Sequence, residues 1–266
     1  MASTPRTDLG TGASPHTGTG FLTAFRRLAR PPETGSLLGM LAVYVFFLTF
    51  AGRIFASAPG FASWLNVAAE IGIVALPIGL LMIAGHLDLS IGAVIPAASL
   101  TVVIVSGHYG APDLVGIAAA LAVGLLVGYV NGVFVVRTEI PSLIVTIGIM
   151  FAVMGLTLGI AVLLTGSTST SITPSAASKA MLGQFVGGMF QVTIFWWALF
   201  AAVFAYVLHV SPWGNWIYAL DGDKISARNA GIPTERLTIG LFMASGFCAA
   251  FESRVASPSS STRSCA

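Results

Sequence analysis

The feature that most constrains this chain is a succession of long apolar runs whose ends are marked by charges. Leu114–Val136 passes without a charge between Asp113 and Arg137. The same bounding gives Ser36–Ala51, Ile71–Gly85, Leu89–Gly107, Pro141–Thr165, Gln191–Val210 and Leu237–Phe251. A helix needs about 20 apolar residues to cross the hydrocarbon core of a bilayer. Backbone groups there must find partners within the segment, so these runs are expected to be helices rather than lone strands. Ile71–Gly85 is short by this measure and gains length if its helix begins within Trp64–Ala69. Leu237–Phe251 is short as well and does not by itself secure a full crossing. The expected fold class is all-α, a polytopic transmembrane helical bundle of about 6–7 spans.

Composition excludes the soluble alternative. Charged residues make up 8% of the 266 residues and hydrophobic residues 56%, whereas an ordinary soluble domain is roughly 25% charged. The mean hydropathy is +0.90. A net charge of +2 is too small to point to nucleic acid. Cys248 and Cys265 have no metal-ligand spacing, and His16, His86, His108 and His209 are scattered singly. No G-x-x-x-x-G-K-[ST], H-E-x-x-H or G-x-S-x-G occurs, so neither ATP binding of that kind nor an enzyme active site is expected, and no cofactor or metal is assigned to this chain.

The positions of Lys and Arg set the orientation. With the N-terminus cytoplasmic, the inside carries Arg6, Arg26, Arg27, Arg30, Arg137, Lys224, Arg228 and Arg236. The outside then carries Arg53 and Lys179, joined by Arg254 and Arg263 if the last run crosses. This gives a flexible cytoplasmic tail over 1–32, a transmembrane domain over 33–251 with a cytoplasmic loop at 211–236, and a polar tail over 252–266. Gly166–Met189, rich in Ser, Thr and Gly, reads as an external loop placed to contact a delivery protein.

Three features stand out within this frame. Gly85-His86-Leu87-Asp88-Leu89-Ser90-Ile91-Gly92 sets Asp88 between two apolar runs with almost no loop. Either Asp88 caps the helix that follows, or a broken or re-entrant helix puts an acid at membrane depth, where it is a functional candidate; the two readings are compatible. Ser211–Arg236 is the one charge-dense stretch between spans. Its acids Asp221 and Asp223, then Lys224 and Arg228, then Gly231, predict a short helix over 222–230. Exposed Ile225 and Ile232 would suit docking to a cytoplasmic partner, against the plainer reading of a surface loop. Finally, Gly124, Gly128 and Gly132 fall on one helical stripe that allows close helix packing, although glycine is also simply common in membrane helices.

GHLDLSIG at 85–92 resembles the G-x-x-D-L-S-x-G segment of ribose- and xylose-type sugar ABC transporter permeases. Val130–Thr165, with N-G, a basic residue, I-P, I-V-T-x-G and L-L-T-G, is similar to the same family, as is GNWIYALDGDKISARNAGI at 214–232. The resemblance covers about residues 60–250. Related branched-chain amino-acid permeases usually carry an Asn-based segment where this chain has Asp88-Leu89-Ser90, which favours sugar. The resemblance implies a pathway through the bacterial inner (plasma) membrane, formed with a second permease subunit, in a homodimer as the first expectation. It also implies a separate ATPase that binds ATP and a periplasmic or lipid-anchored sugar-binding protein. It assigns Asp88, Ser90 and Gly92 to the pathway side. Asp221, Gly222, Asp223, Ala227, Gly231 and Ile232 match the coupling segment, with Lys224 and Arg228 among them; Asp223 stands where the family often has Asn. Family members continue with several more spans, whereas here the last run gives way at Phe251 to ESRVASPSSSTRSCA. A truncation, deletion or frameshift near 251–262 is therefore expected, and with it weak or no transport. The residues also leave open a permease for branched-chain amino acids or another small polar solute, an ATP-independent transporter or channel, and a non-functional remnant.

Overall fold

The computed structural model describes residues 33–138, 140–166, 185–186, 188–222 and 224–255. The tail 1–32 with its arginines, most of the external loop with Lys179, Asp223, and 256–266 with Cys265 lie outside the described residues. The chain divides into two compact units, Met1–Gly60 and Phe61–Ala266.

The first unit contains α1 (Glu33–Phe50) and the single turn α2 (Gly52–Phe55). Aromatic rings tie the two together: Phe47 stacks on Phe55 at 5.8 Å and Tyr44 tilts against Phe55 at 5.5 Å. Leu38, Leu41, Val45 and Leu48 are exposed, as suits a helix with lipid as its solvent.

The second unit is a helical bundle. Its elements are α3 (Ala58–Ile83, in this unit from Phe61 on), α4 (Ile91–Val102) continued by a π-turn (Val103–His108), α5 (Asp113–Arg137) and α6 (Ser142–Thr165). There follow α7 (Thr193–His209), α8 (Pro212–Gly222), α9 (Lys224–Asn229) and α10 (Thr234–Val255). Among the described residues, four helices are long and apolar enough to span a bilayer: Ala58–Ile83, Ile91–His108, Asp113–Arg137 and Ser142–Thr165. A fifth candidate is the pair α7–α8, bent by 70°. Pro212 lacks an amide hydrogen and sits at the first position of α8, where a proline is tolerated. Gly214 lets the new helix fold back against the Leu208 carbonyl, which a Cβ would strike.

The structure extends the sequence reading in three places. α10 does not stop at Phe251 but runs to Val255, 22 residues in all, and buries Glu252 and Ser253. Charge marks end an apolar run, not a helix, so the bounding undercounted it. Next, 211–236 holds two helices where one was expected over 222–230. Asp221 and Gly222 end α8 instead of opening the coupling helix, because Trp213–Leu220 is itself helical. Last, a two-stranded antiparallel hairpin begins in the Gly166–Met189 stretch read as an external loop, with β1 (Phe185–Val186), and ends at the start of the next apolar run, with β2 (Phe190–Gln191).

α5 and α10 form the centre of the bundle. A Cβ at Gly124 would overlap the Gly246 carbonyl and approach Ala250 Cβ to 2.6 Å. One at Gly128 would come within 2.8 Å of Met243 Cα, and one at Gly132 within 2.7 Å of Ile239 Cα. Three glycines four residues apart thus let two backbones touch where side chains would hold them apart. Two apolar cores flank this contact. One gathers Leu81, Val135, Val145, Ile217, Leu241 and Phe242. The other gathers Val94, Ala98, Ala120, Val127, Ala249 and Ala250.

Candidate functional site

The break between α3 and α4 is built by glycine. At Gly85 the backbone is left-handed, with φ +76°. The Gly85 amide donates to Met82 O at 3.1 Å and the His86 amide to Leu81 O at 2.8 Å. This pair of bonds is the Schellman stop, which favours glycine at that position because a Cβ resists positive φ. Residues 86–89 are then irregular, and α4 starts with Ser90 as its N-cap.

Irregular backbone inside an apolar bundle needs partners, and α6 supplies them. Ser142 Oγ accepts from the Leu87 amide at 3.1 Å, and Thr146 Oγ1 accepts from the Leu89 amide at 3.3 Å.

Asp88 points inward. Its Oδ1 accepts from the Ser90 amide at 2.9 Å and from Ser90 Oγ at 2.7 Å, and its Oδ2 accepts from Ser245 Oγ at 2.8 Å. Ser90 Oγ in turn accepts from Asn131 Nδ2 at 2.6 Å. A continuous chain therefore runs from Asn131 on α5, through Ser90 and Asp88, to Ser245 on α10. Asp88 is 2% exposed, Ser90 1%, and Asn131 and Ser245 are 0% exposed, so protein groups and not bulk water solvate this carboxyl. As for capping, Asp88 bonds the amide of the N-cap residue itself, not the amides of the first turn of α4.

The polar chain divides the two apolar cores. On α10, Ser245 lies between Phe242 of the first core and Ala249 of the second; on α5, Asn131 lies between Val135 and Val127. Ser245 is eleven positions into α10, about 16 Å from its start at 1.5 Å per residue, near half the thickness of a hydrocarbon core. Thr238, two turns earlier on α10, is fully buried; its Oγ1 and Asn131 Oδ1 have no hydrogen-bond partner among the described residues. Gly92 does not join this group: it is exposed, and its Cβ position lies 3.8 Å from Met150 Sδ on α6.

Beside the break lies the 211–236 segment. A Cβ at Gly85 would be 3.2 Å from Asp221 Oδ1, at the end of α8. Beyond it, α9 closes with a second Schellman stop: Gly231 has φ +83°, its amide donates to Arg228 O at 3.0 Å, and the Ile232 amide donates to Ala227 O at 3.1 Å. Ala227 is buried, Ile225 is exposed, and Ile232 is half-buried where exposure was expected. Arg228 pairs with Glu235 at 3.3 Å on an exposed surface. Gly222 is exposed, Lys224 opens α9, and Asp223 lies outside the described residues.

The chemistry available here is hydrogen bonding: the Asp88 carboxyl, the Asn131 amide and the hydroxyls of Ser90, Ser245, Thr146 and Thr238 in an apolar surround. Among the described residues, no three His, Cys, Asp or Glu side chains gather as a metal site would need. Asn131, Thr146 and Ser245 escaped the sequence reading as site residues, although Asn131 and Ser245 each sit beside a packing glycine, and a polar residue within an apolar span is a functional signal.

Residues 60–262 match the model of a family described as the branched-chain amino acid transport system / permease component. The chain belongs to this family. It is thus a multi-pass integral membrane protein of a transporter permease family, not of an enzyme family. Among similar curated proteins, the fructose import permease protein of Rhizobium meliloti is 28% identical over 227 residues, covering 83% of this chain and 61% of the relative. The xylose/arabinose import permease protein of Sulfolobus acidocaldarius is 29% identical over 208 residues, 74% of this chain and 54% of the relative. The ribose import permease protein of Escherichia coli is 28% identical over 222 residues, 82% of this chain and 66% of the relative. The chain therefore spans about three fifths of the length of the curated permeases it matches. No solved structure matches.

Proposed function

We propose that this permease-family chain is a transmembrane subunit of an ABC importer in a bacterial inner membrane. In this reading it forms, with a second permease subunit, the pathway for a monosaccharide delivered by an extracytoplasmic binding protein. The single observation that carries the reading is the buried chain Asn131–Ser90–Asp88–Ser245, set between two apolar cores and beside the 211–236 segment. A break of this kind places one carboxyl, an amide and hydroxyls at depth, hydrogen-bonding groups that suit a hydroxyl-rich solute. The similar permeases, named for import of fructose, xylose, arabinose and ribose, support a sugar.

Asp88 and Ser90, with Asn131 and Ser245, are assigned to the pathway. Gly92, exposed and facing Met150 of α6, lines its approach. Asp221, Gly222, Asp223, Lys224, Ala227, Arg228, Gly231 and Ile232 are assigned to ATPase coupling. The N-terminus is placed in the cytoplasm, so that Arg137, Lys224, Arg228 and Arg236 share the inside. ATP is bound by the separate ATPase. The family's description supports a second reading of the solute, a branched-chain amino acid.

Uptake decides between them. Cells expressing the chain with its companion ATPase and binding protein are expected to accumulate a labelled pentose or hexose in an ATP-dependent manner. Uptake of leucine but no sugar would establish the second reading, and uptake that survives loss of the ATPase would overturn both.

A further inference from the structure

α3 is joined at three levels to the segment that runs from the β hairpin through α7 and α8. Near its start, Asn66 Nδ2 donates to Met189 O at 3.1 Å, and Asn66 Oδ1 accepts from the Gln191 amide at 3.0 Å. One side chain thus grips the turn and the second strand of the hairpin. Farther along, Trp197 of α7 fits the space left by Gly72, with its Cδ1 2.6 Å from the Cβ position. Past its end, Gly85 abuts Asp221 of α8, with Oδ1 3.2 Å from the Cβ position.

The hairpin leads directly into α7, α7 bends by 70° into α8, and α8 ends at Asp221–Gly222. The two limbs therefore close into a frame. From Asn66 to Ile83 the rise is about 25 Å at 1.5 Å per residue, close to the thickness of a hydrocarbon core. The frame runs the length of α3, from the hairpin to the break at Gly85. Asn66 is 7% exposed. A buried amide in an apolar helix is costly unless its donor and acceptor are both used, and here both go to hairpin backbone.

We propose that Asn66 is a positioning residue that locks the hairpin to α3, so that a displacement of the hairpin at one end is delivered to the Gly85–Asp221 contact at the other. The inference rests on the transporter reading, in which the hairpin end meets the binding protein and the Asp221 end meets the ATPase. Pro77 removes one backbone bond within α3, yet the helix passes through it unbroken, and the brace at Gly72 lies between Asn66 and that weak point.

Hydrogen exchange on the full chain in lipid nanodiscs tests this without any ligand. Asn66→Ala is expected to raise exchange several-fold at 188–191 and also at 214–222. Asn66→Asp keeps the acceptor for the Gln191 amide and loses the donor to Met189 O, so it is expected to give a smaller rise at both places. A rise confined to 188–191 would reduce Asn66 to a local brace and overturn the proposal, as would no change at either place. If Asn66→Ala unfolds the protein, Asn66→Asp alone decides by the same two criteria. A separate arm measures ATP hydrolysis by the wild-type complex with its binding protein. Absence of stimulation there sinks the transporter reading while leaving the exchange result to stand on its own.

Discussion

Asp88 and Ser245 lie 157 residues apart in sequence and meet through a 2.8 Å hydrogen bond in the middle of the bundle. Ser245→Ala leaves Asp88 Oδ2 without that donor in a place where water does not reach it. A buried hydrogen bond to a charged group is worth about 1.5–3 kcal/mol in water-soluble proteins, and interhelical ones in membranes nearer 0.6. The variant is expected to lose about 1–2 kcal/mol. Asp88→Asn should lower the cost of the same serine substitution, because the amide leaves a neutral group behind. Thermal unfolding of the four proteins of this double-mutant cycle in one detergent checks it; strict additivity would show that the two side chains are not coupled.

Two sets of glycines should respond in opposite ways. Gly128→Ala puts a methyl 2.8 Å from the Met243 Cα, a backbone atom that cannot swing aside, and overpacking of this kind costs about 1–3 kcal/mol. Gly155 on α6 has nothing within 4 Å of its Cβ position. There Gly155→Ala should be neutral or stabilise by up to about 1 kcal/mol through helix propensity. Fluorescence-detected melting of both variants makes the comparison, and equal losses at the two positions would contradict the packing of α5 on α10.

The helices were legible because lipid demands long apolar runs and charges interrupt them. Their ends were not, since Glu252 and Ser253 continue α10 while buried against protein. The spacing of Gly124, Gly128 and Gly132 defines a face, but nothing in α5 itself names α10 as the helix that meets it. Asp88 was visible as an acid between two spans. Its partners Asn131 and Ser245 were not, because a hydrogen bond across three helices leaves no mark in local pattern. The hairpin at 185–191 escaped for a similar reason: two-residue strands carry no periodicity, and Asn66, which holds the turn, is remote in sequence.

The coupling assignment separates stability from docking. The Arg228–Glu235 pair has side chains 71% and 51% exposed, and exposed ion pairs contribute about 0–1 kcal/mol. Arg228→Ala should therefore leave the melting temperature almost unchanged. Arg228→Glu sets like charges together on the face assigned to the ATPase, and the amount of ATPase co-purifying with the chain is expected to fall about tenfold, equivalent to 1.4 kcal/mol. Undiminished co-purification would remove Arg228 from the docking surface.

Thr146 offers the sharpest test of the break itself. Its hydroxyl accepts from the Leu89 amide at 3.3 Å and lies 3.5 Å from Leu87 O, on a side chain that is 0% exposed. Thr146→Val keeps the shape and removes the only group that α6 offers to the Leu89 amide among these contacts. The loss should be about 1 kcal/mol, the net worth of one such bond. More tellingly, amide exchange should rise at 86–89 and stay unchanged in the centre of α5, because only the irregular segment depends on that hydroxyl. Ser142→Ala, at the exposed Leu87 amide, should have a smaller effect, since water can replace the lost acceptor there. If Thr146→Val leaves exchange at 86–89 untouched while uptake falls, the threonine contacts solute instead of supporting the break, and the pathway assignment would have to include α6.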